Sequence, residues 1–131
     1  MSIIRKFICY SLLILSVFAA VPTFAGAAED RVTVDRDIVF RRGAISAAVR
    51  GRIARGTTHL YRVRARRGQE MAVVLKTGEQ TSATVFAPTM GIVEGADGIR
   101  QTLVELPETG EYLIQIGTDA AANYTLEVTI N

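Results

Sequence analysis

The stretch "NYTLEVTI", residues 123–130, places Tyr124, Leu126, Val128 and Ile130 at alternate positions, with polar residues between them. A period of two puts every apolar side chain on one face of an extended strand, whereas a helix needs a period of 3.6. The same alternation recurs along the chain. It appears at Val32 and Val34, at Ile38 and Phe40, at Val49, Gly51 and Ile53, and at Tyr61, Val63 and Ala65. It continues at Met71, Val73 and Leu75, around Ser82 to Ala87, at Val104 and Leu106, and at Tyr112, Ile114 and Ile116. No helical period persists. About eight short strands with turn residues at their junctions predict an all-β fold, a single antiparallel β-sandwich.

The first residues do not belong to that pattern. Arg5 and Lys6 precede an apolar run from Phe7 to Ala20, which Pro22 ends, and Ala25-Gly26-Ala27 follows as a small-x-small site. Basic residues, a short apolar run and small residues in that order describe a Sec signal peptide. We therefore expect a cleaved signal at residues 1–27 and a β-sandwich domain at 28–131, exported to the periplasm with no membrane span after cleavage. Cys9, the sole cysteine, lies inside the signal and follows no lipobox, so the mature domain must fold without disulfides.

Charge is divided along the chain. Residues 31–67 hold eleven Arg against Asp35 and Asp37, a net +9, while residues 68–131 hold Lys76 and Arg100 against nine acids, a net −7. Pairing two of the basic strands as a hairpin would collect Arg50, Arg52, Arg62, Arg64 and Arg66 on one sheet face. Such a row suits a solvated face or an anionic partner. Nucleic-acid surfaces interleave stacking aromatics with their cations, and here none intervene, so no nucleic-acid partner is expected.

Catalytic chemistry is poorly supplied. His59 is the sole histidine, placed at a strand start as a surface residue, and no set of residues offers the three or four ligands of a zinc site. Glu105, Glu108 and Glu111 are the one carboxylate group close enough in sequence to suggest glycoside cleavage. Parity turns Glu105 and Glu111 outward as solvated strand residues, so no enzyme and no cofactor is expected. The glycines of "PTMGIVEGADG", residues 88–98, match no phosphate-binding spacing and read as a flexible connection.

The stretch "IVFRRGAISAAVRGRIARGTTHLYRVRARRGQEMAVVL", with "LPETGEYLIQI" and "NYTLEVTI" downstream, resembles the periplasmic inhibitors of g-type (goose-type) lysozyme. The likeness rests on a Phe-basic-basic-Gly strand end, Gly-x-Ile, the aromatic strand start at Tyr61 and the basic-basic-Gly-Gln step at 66–69. It spans nearly the whole mature domain. A looser likeness reaches the pre-peptidase C-terminal sandwich modules, which share the Gly-x-Tyr and Tyr-x-Leu skeleton. Lysozyme inhibitors carry a Ser-Gly-x-Tyr type loop that enters the enzyme's cleft, and Thr109-Gly110-Glu111-Tyr112 matches it, with Thr for Ser. The resemblance thus implies a g-type lysozyme as the protein partner and these four residues as its binding loop. The pre-peptidase likeness implies instead a module that binds envelope glycan or another envelope protein. Intact-mass analysis of the exported protein checks the processing: the expected mass is that of a chain beginning near Ala28, without lipid.

Overall fold

In a computed structural model, residues 31–78 and 80–131 are described; the signal reading at 1–27 and Cys9 fall outside them. Eight strands run in order: β1 (Arg31–Asp37), β2 (Ser46–Ile53), β3 (Thr57–Ala65), β4 (Glu70–Lys76), β5 (Thr81–Phe86), β6 (Gln101–Glu105), β7 (Gly110–Thr118) and β8 (Ala122–Ile130). They form two four-stranded sheets, ordered β1-β3-β7-β5 and β2-β8-β4-β6. The expected β-sandwich is what these sheets build.

Alternation does the packing. Along β7 the burial alternates so that Tyr112, Ile114 and Ile116 are fully buried while Glu111 is exposed. On β8 the quoted residues Tyr124, Leu126, Val128 and Ile130 all face inward, against Met71, Val73 and Leu75 of neighbouring β4 and across to the other sheet. Each fully buried aliphatic or aromatic side chain stabilises the fold by about 1.5–3 kcal/mol.

Strand pairing departs from the sequence expectation in three places. First, β1 lies parallel to β3, Asp35 opposite Leu60, so the sandwich is not purely antiparallel. Its strand also stops at Asp37, and the Ile38 N–H bonds the Arg62 carbonyl at 2.7 Å before the chain leaves the sheet. Consecutive strands β1 and β2 join opposite sheets, which leaves β1 to pair with a strand further along the chain. Second, β2 and β3 form no hairpin. β2 pairs with β8, and β3 pairs with β7 and β1. Arg50 and Arg52 therefore lie on the outer face of one sheet, with Arg62 and Arg64 on the outer face of the other. No single row of five exists. Third, residues 88–98 are folded along the outer edge of β5. Val93 donates to the Val85 carbonyl and Val85 to the Ala96 carbonyl, both at 2.9 Å, and Val93 and Ala96 are buried. The segment gives β5 the partner that an edge strand lacks and so masks it against pairing with other chains.

His59 is a correction of another kind. It sits within β3 and is only 2% exposed. Its Nδ1 lies 2.6 Å from the Tyr124 hydroxyl, which in turn lies 2.5 Å from the Tyr61 hydroxyl. His59 and Tyr61 belong to one sheet and Tyr124 to the other, so this polar chain crosses the sandwich. The Tyr124 hydroxyl donates to one neighbour and accepts from the other, which satisfies it inside an apolar core. Room for its ring comes from Gly51, directly opposite on β2. A Cβ there would stand 2.5 Å from the Tyr124 oxygen. Glycine is required at this position for space.

Burial, and then the Arg36 charge, hold the His59 pKa below its ordinary 6.5. Burial, followed by the Tyr61 hydrogen bond, raises that of Tyr124, so its proton stays in place. A depressed histidine pKa means that the unfolded chain takes up the proton first. The network's stability is therefore complete above pH 6.5 and falls as the pH drops below it, down to the folded-state pKa. Melting temperatures measured across this interval should fall more steeply for the wild type than for His59→Gln.

Candidate functional site

Strand directions collect four connections at one end of the sandwich: 38–45, 66–69, 87–91 and 106–109. The turn "LPETG" protrudes here, with Pro107 and Thr109 exposed. Every part of it is anchored. The Glu108 N–H donates to the Tyr112 hydroxyl at 3.0 Å, and that hydroxyl donates to the Glu108 carbonyl at 2.5 Å. A tyrosine that binds the backbone a few residues upstream is the tyrosine corner of other sandwiches. The ring itself is fully buried.

Glu108 turns its carboxylate the other way. It accepts from the Thr89 N–H at 2.9 Å, from the Met90 N–H at 3.0 Å and from the Thr89 hydroxyl. These bonds, that of the Thr89 hydroxyl first, hold its pKa below the usual carboxylate value. An ionised carboxylate saturated by donors makes a poor general acid, and its role is to fix loop 87–91. On the other side the turn is laced to residues 66–69. The Gly68 N–H donates to the Leu106 carbonyl at 2.9 Å, the Leu106 N–H to the Gln69 carbonyl at 2.8 Å, and the Arg67 N–H to the Thr109 hydroxyl oxygen at 2.9 Å. The Thr109 hydroxyl keeps its own proton to donate outward.

Gly110 has a φ of 150°, and a Cβ on it would stand 2.9 Å from Pro88 Cγ. Both facts call for glycine. Glu111 is exposed and reaches Arg62 at 3.6 Å, while Arg62 also meets Asp35 at 2.5 Å. These are solvent-facing pairs, worth about 0–1 kcal/mol each.

Of the four residues taken from the sequence, Thr109 and Glu111 thus present side chains to solvent, and Gly110 shapes the backbone. Tyr112 differs: its buried ring has no surface to offer a partner, and it acts by positioning the turn. Sequence reasoning did not reach the surroundings. Thr109 and Gly110 border a cleft of about 410 Å³ whose apolar wall is Phe40, Ile45, Ala65 and Ile130, with Arg64 and Arg66 at its rim. The pairing of Ala65 with Gly110 brings the arginines to the turn. Phe40 and Ile45 arrive from a segment more than sixty residues away. Among the described residues no group of His, Cys, Asp and Glu is arranged to hold a metal ion, and no helix is long and apolar enough to cross a membrane.

Solved structures give this anchored turn and its two-sheet scaffold a setting. The chain is similar to Aeromonas hydrophila PliG, a periplasmic lysozyme inhibitor of g-type lysozyme, with a TM-score of 0.67 and 26% identity, covering 78% of this chain and 99% of that one. A mutant of the Escherichia coli PliG matches with a TM-score of 0.64 and 20% identity over 77% of this chain and 99% of its own. Salmonella Typhimurium PliG matches at 0.62 and 23% over 75% and 98%. The fold is that of the g-type lysozyme inhibitors, the family whose resemblance the sequence carries. The three neighbours are inhibitors by name, not enzymes, and none of them represents the pre-peptidase modules. No family model matches the chain, and neither does any curated protein.

Replacing Tyr112 with Phe keeps the ring in the core and removes both hydroxyl bonds to Glu108. The expected cost is about 1–3 kcal/mol in denaturant melts. Faster hydrogen exchange at the Glu108 amide should accompany it.

Proposed function

We propose that the protein is a periplasmic inhibitor of a g-type lysozyme, exported by a cleaved signal, and that the 107–111 turn enters the muramidase cleft. Supporting this reading above all is the joining of the inhibitor fold to a protruding turn held from three sides. A plug fixed before it meets its target loses little conformational entropy on docking. Tyr112 and Glu108 hold it, Gly110 lets it turn against Pro88, and Thr109 and Glu111 face the enzyme. Inhibition would need no chemistry from the inhibitor. It follows from occupying the groove that otherwise takes the glycan strand, and so protects peptidoglycan.

Titrating a g-type lysozyme with the purified protein tests the activity, and the variant Thr109→Ala, Glu111→Ala tests the site. Loss of the bond from the Arg67 N–H should cost about 1 kcal/mol of stability, leaving the protein folded. Inhibition should weaken by roughly tenfold or more, since interface energy concentrates in few residues. Equal inhibition by variant and wild type would make the turn a mere connector. A wild type that leaves the lysozyme fully active would sink the inhibitor reading in favour of an envelope-binding module.

A further inference from the structure

The 38–45 segment has a use that the inhibitory turn does not explain. It passes over the end of the sandwich from β1, an edge of one sheet, to β2, an edge of the other. At its apex Arg41-Arg42-Gly43-Ala44 forms a β-turn, closed by the Ala44 N–H on the Arg41 carbonyl at 2.8 Å, with Gly43 at a φ of 81°. That positive φ at the third position suits a type II turn and sets the two arginines at the corner. On either side of them stand Val39, 78% exposed, and Ile45, 53% exposed. Large apolar side chains left this open beside paired cations are not explained by packing.

The cations of this end are not drawn into ion pairs. No described acid forms an ion pair with Arg41, Arg42, Arg66 or Arg67, all of them exposed at this end. The acids of this end are placed elsewhere. Glu108 is taken up by Thr89 and Met90, and Glu111 leans to Arg62. Asp37 precedes the segment, at the end of β1. Glu70 and Glu105 face each other on β4 and β6, on the side of their sheet away from β2. A loop with a cationic corner and exposed apolar flanks thus projects from this end, its two arginines held in no ion pair with a described acid.

We propose that this loop docks the protein on an anionic phospholipid bilayer, with Arg41 and Arg42 at the headgroups and Val39 and Ile45 inserted to the acyl boundary. Apolar side chains flanked by cations bind membranes in this way, through buried apolar area together with attraction to anionic lipid. Val39 and Ile45 stand open on both sides of the corner. That favours a bilayer, which takes up apolar side chains without a preformed pocket, over an acidic protein, whose strongest contacts seat side chains in such pockets.

The test is co-sedimentation of the mature protein with vesicles of equal parts phosphatidylglycerol and phosphatidylcholine, against vesicles of phosphatidylcholine alone. It contains no lysozyme, so its outcome is independent of the inhibitor reading. Wild-type protein should sediment with the anionic vesicles only. Arg41→Gln with Arg42→Gln should weaken that partition by about tenfold or more. Val39→Ser with Ile45→Ser should remove the binding that survives high salt, where screening suppresses the charge contribution. All four side chains are exposed, and melting curves that match the wild type would establish that both variants fold. The proposal is overturned if wild type ignores anionic vesicles, binds both kinds equally, or is matched by both variants. Binding to soluble polyglutamate, sensitive to Arg41 and Arg42, with vesicles left unbound would assign the loop to an acidic protein instead.

Discussion

The contact between the inner faces of β3 and β7 on one side and β4 and β8 on the other organises everything else. Tyr61, Tyr112, Ile114 and Ile116 from the first pair, and Met71, Val73, Leu126 and Val128 from the second, are almost completely withdrawn from water. The described residues include no cysteine and no group arranged to hold a metal ion, so this apolar contact carries their stability. The edge strands β1, β2, β5 and β6 extend the two layers, and the connections crowd the two ends. One polar chain crosses the apolar layer, from Tyr61 and His59 to Tyr124. It is tolerable because its hydroxyls meet one another and the imidazole at hydrogen-bond distance.

That contact also explains how a surface turn becomes rigid. Tyr112 serves two layers at once: its ring fills the core, and its hydroxyl emerges at the end of the sandwich to clamp Glu108. The stiffness of the interior is thereby passed to the 107–111 turn. Glu108 extends the clamp to residues 89 and 90, and Thr109 extends it to Arg67. The Gly-x-Tyr signature has a structural meaning in any sandwich of this kind. In the proposed inhibitor the same rigidity serves recognition.

Charge division takes on a different sense in three dimensions. The basic half of the sequence supplies β1, β2, β3 and the 38–45 loop, and the acidic half supplies the remaining strands. Because β3 lies beside β7 and β2 beside β8, each sheet has one seam where a strand of the basic half meets one of the acidic half. Pairs such as Arg62 with Glu111 form where they meet. At the end bearing the 38–45 loop, Arg41, Arg42, Arg66 and Arg67 join no ion pair with a described acid.

By itself the sequence determined the all-β class, the count of about eight strands and the inward face of most of them, since a period of two is a local property that any sheet partner respects. On β1 it failed, because Val32, read with Val34 on the apolar face, is exposed beside an irregularity in the pairing. It also marked Thr109, Gly110 and Glu111 as a turn leading into a strand, and aimed Tyr112 at the core. Only the tertiary structure decided which strands are neighbours. The parallel β1–β3 pair, the separation of Arg50 and Arg52 from Arg62 and Arg64, and the meeting of Phe40 with Thr109 all depend on pairing between distant segments. Nothing in local alternation encodes such pairing. His59 shows the same limit in a single residue. At a strand start it read as a surface residue. Only Tyr124, brought from the opposite sheet with Gly51 making room for its ring, supplies the hydrogen bond that lets a histidine stay buried.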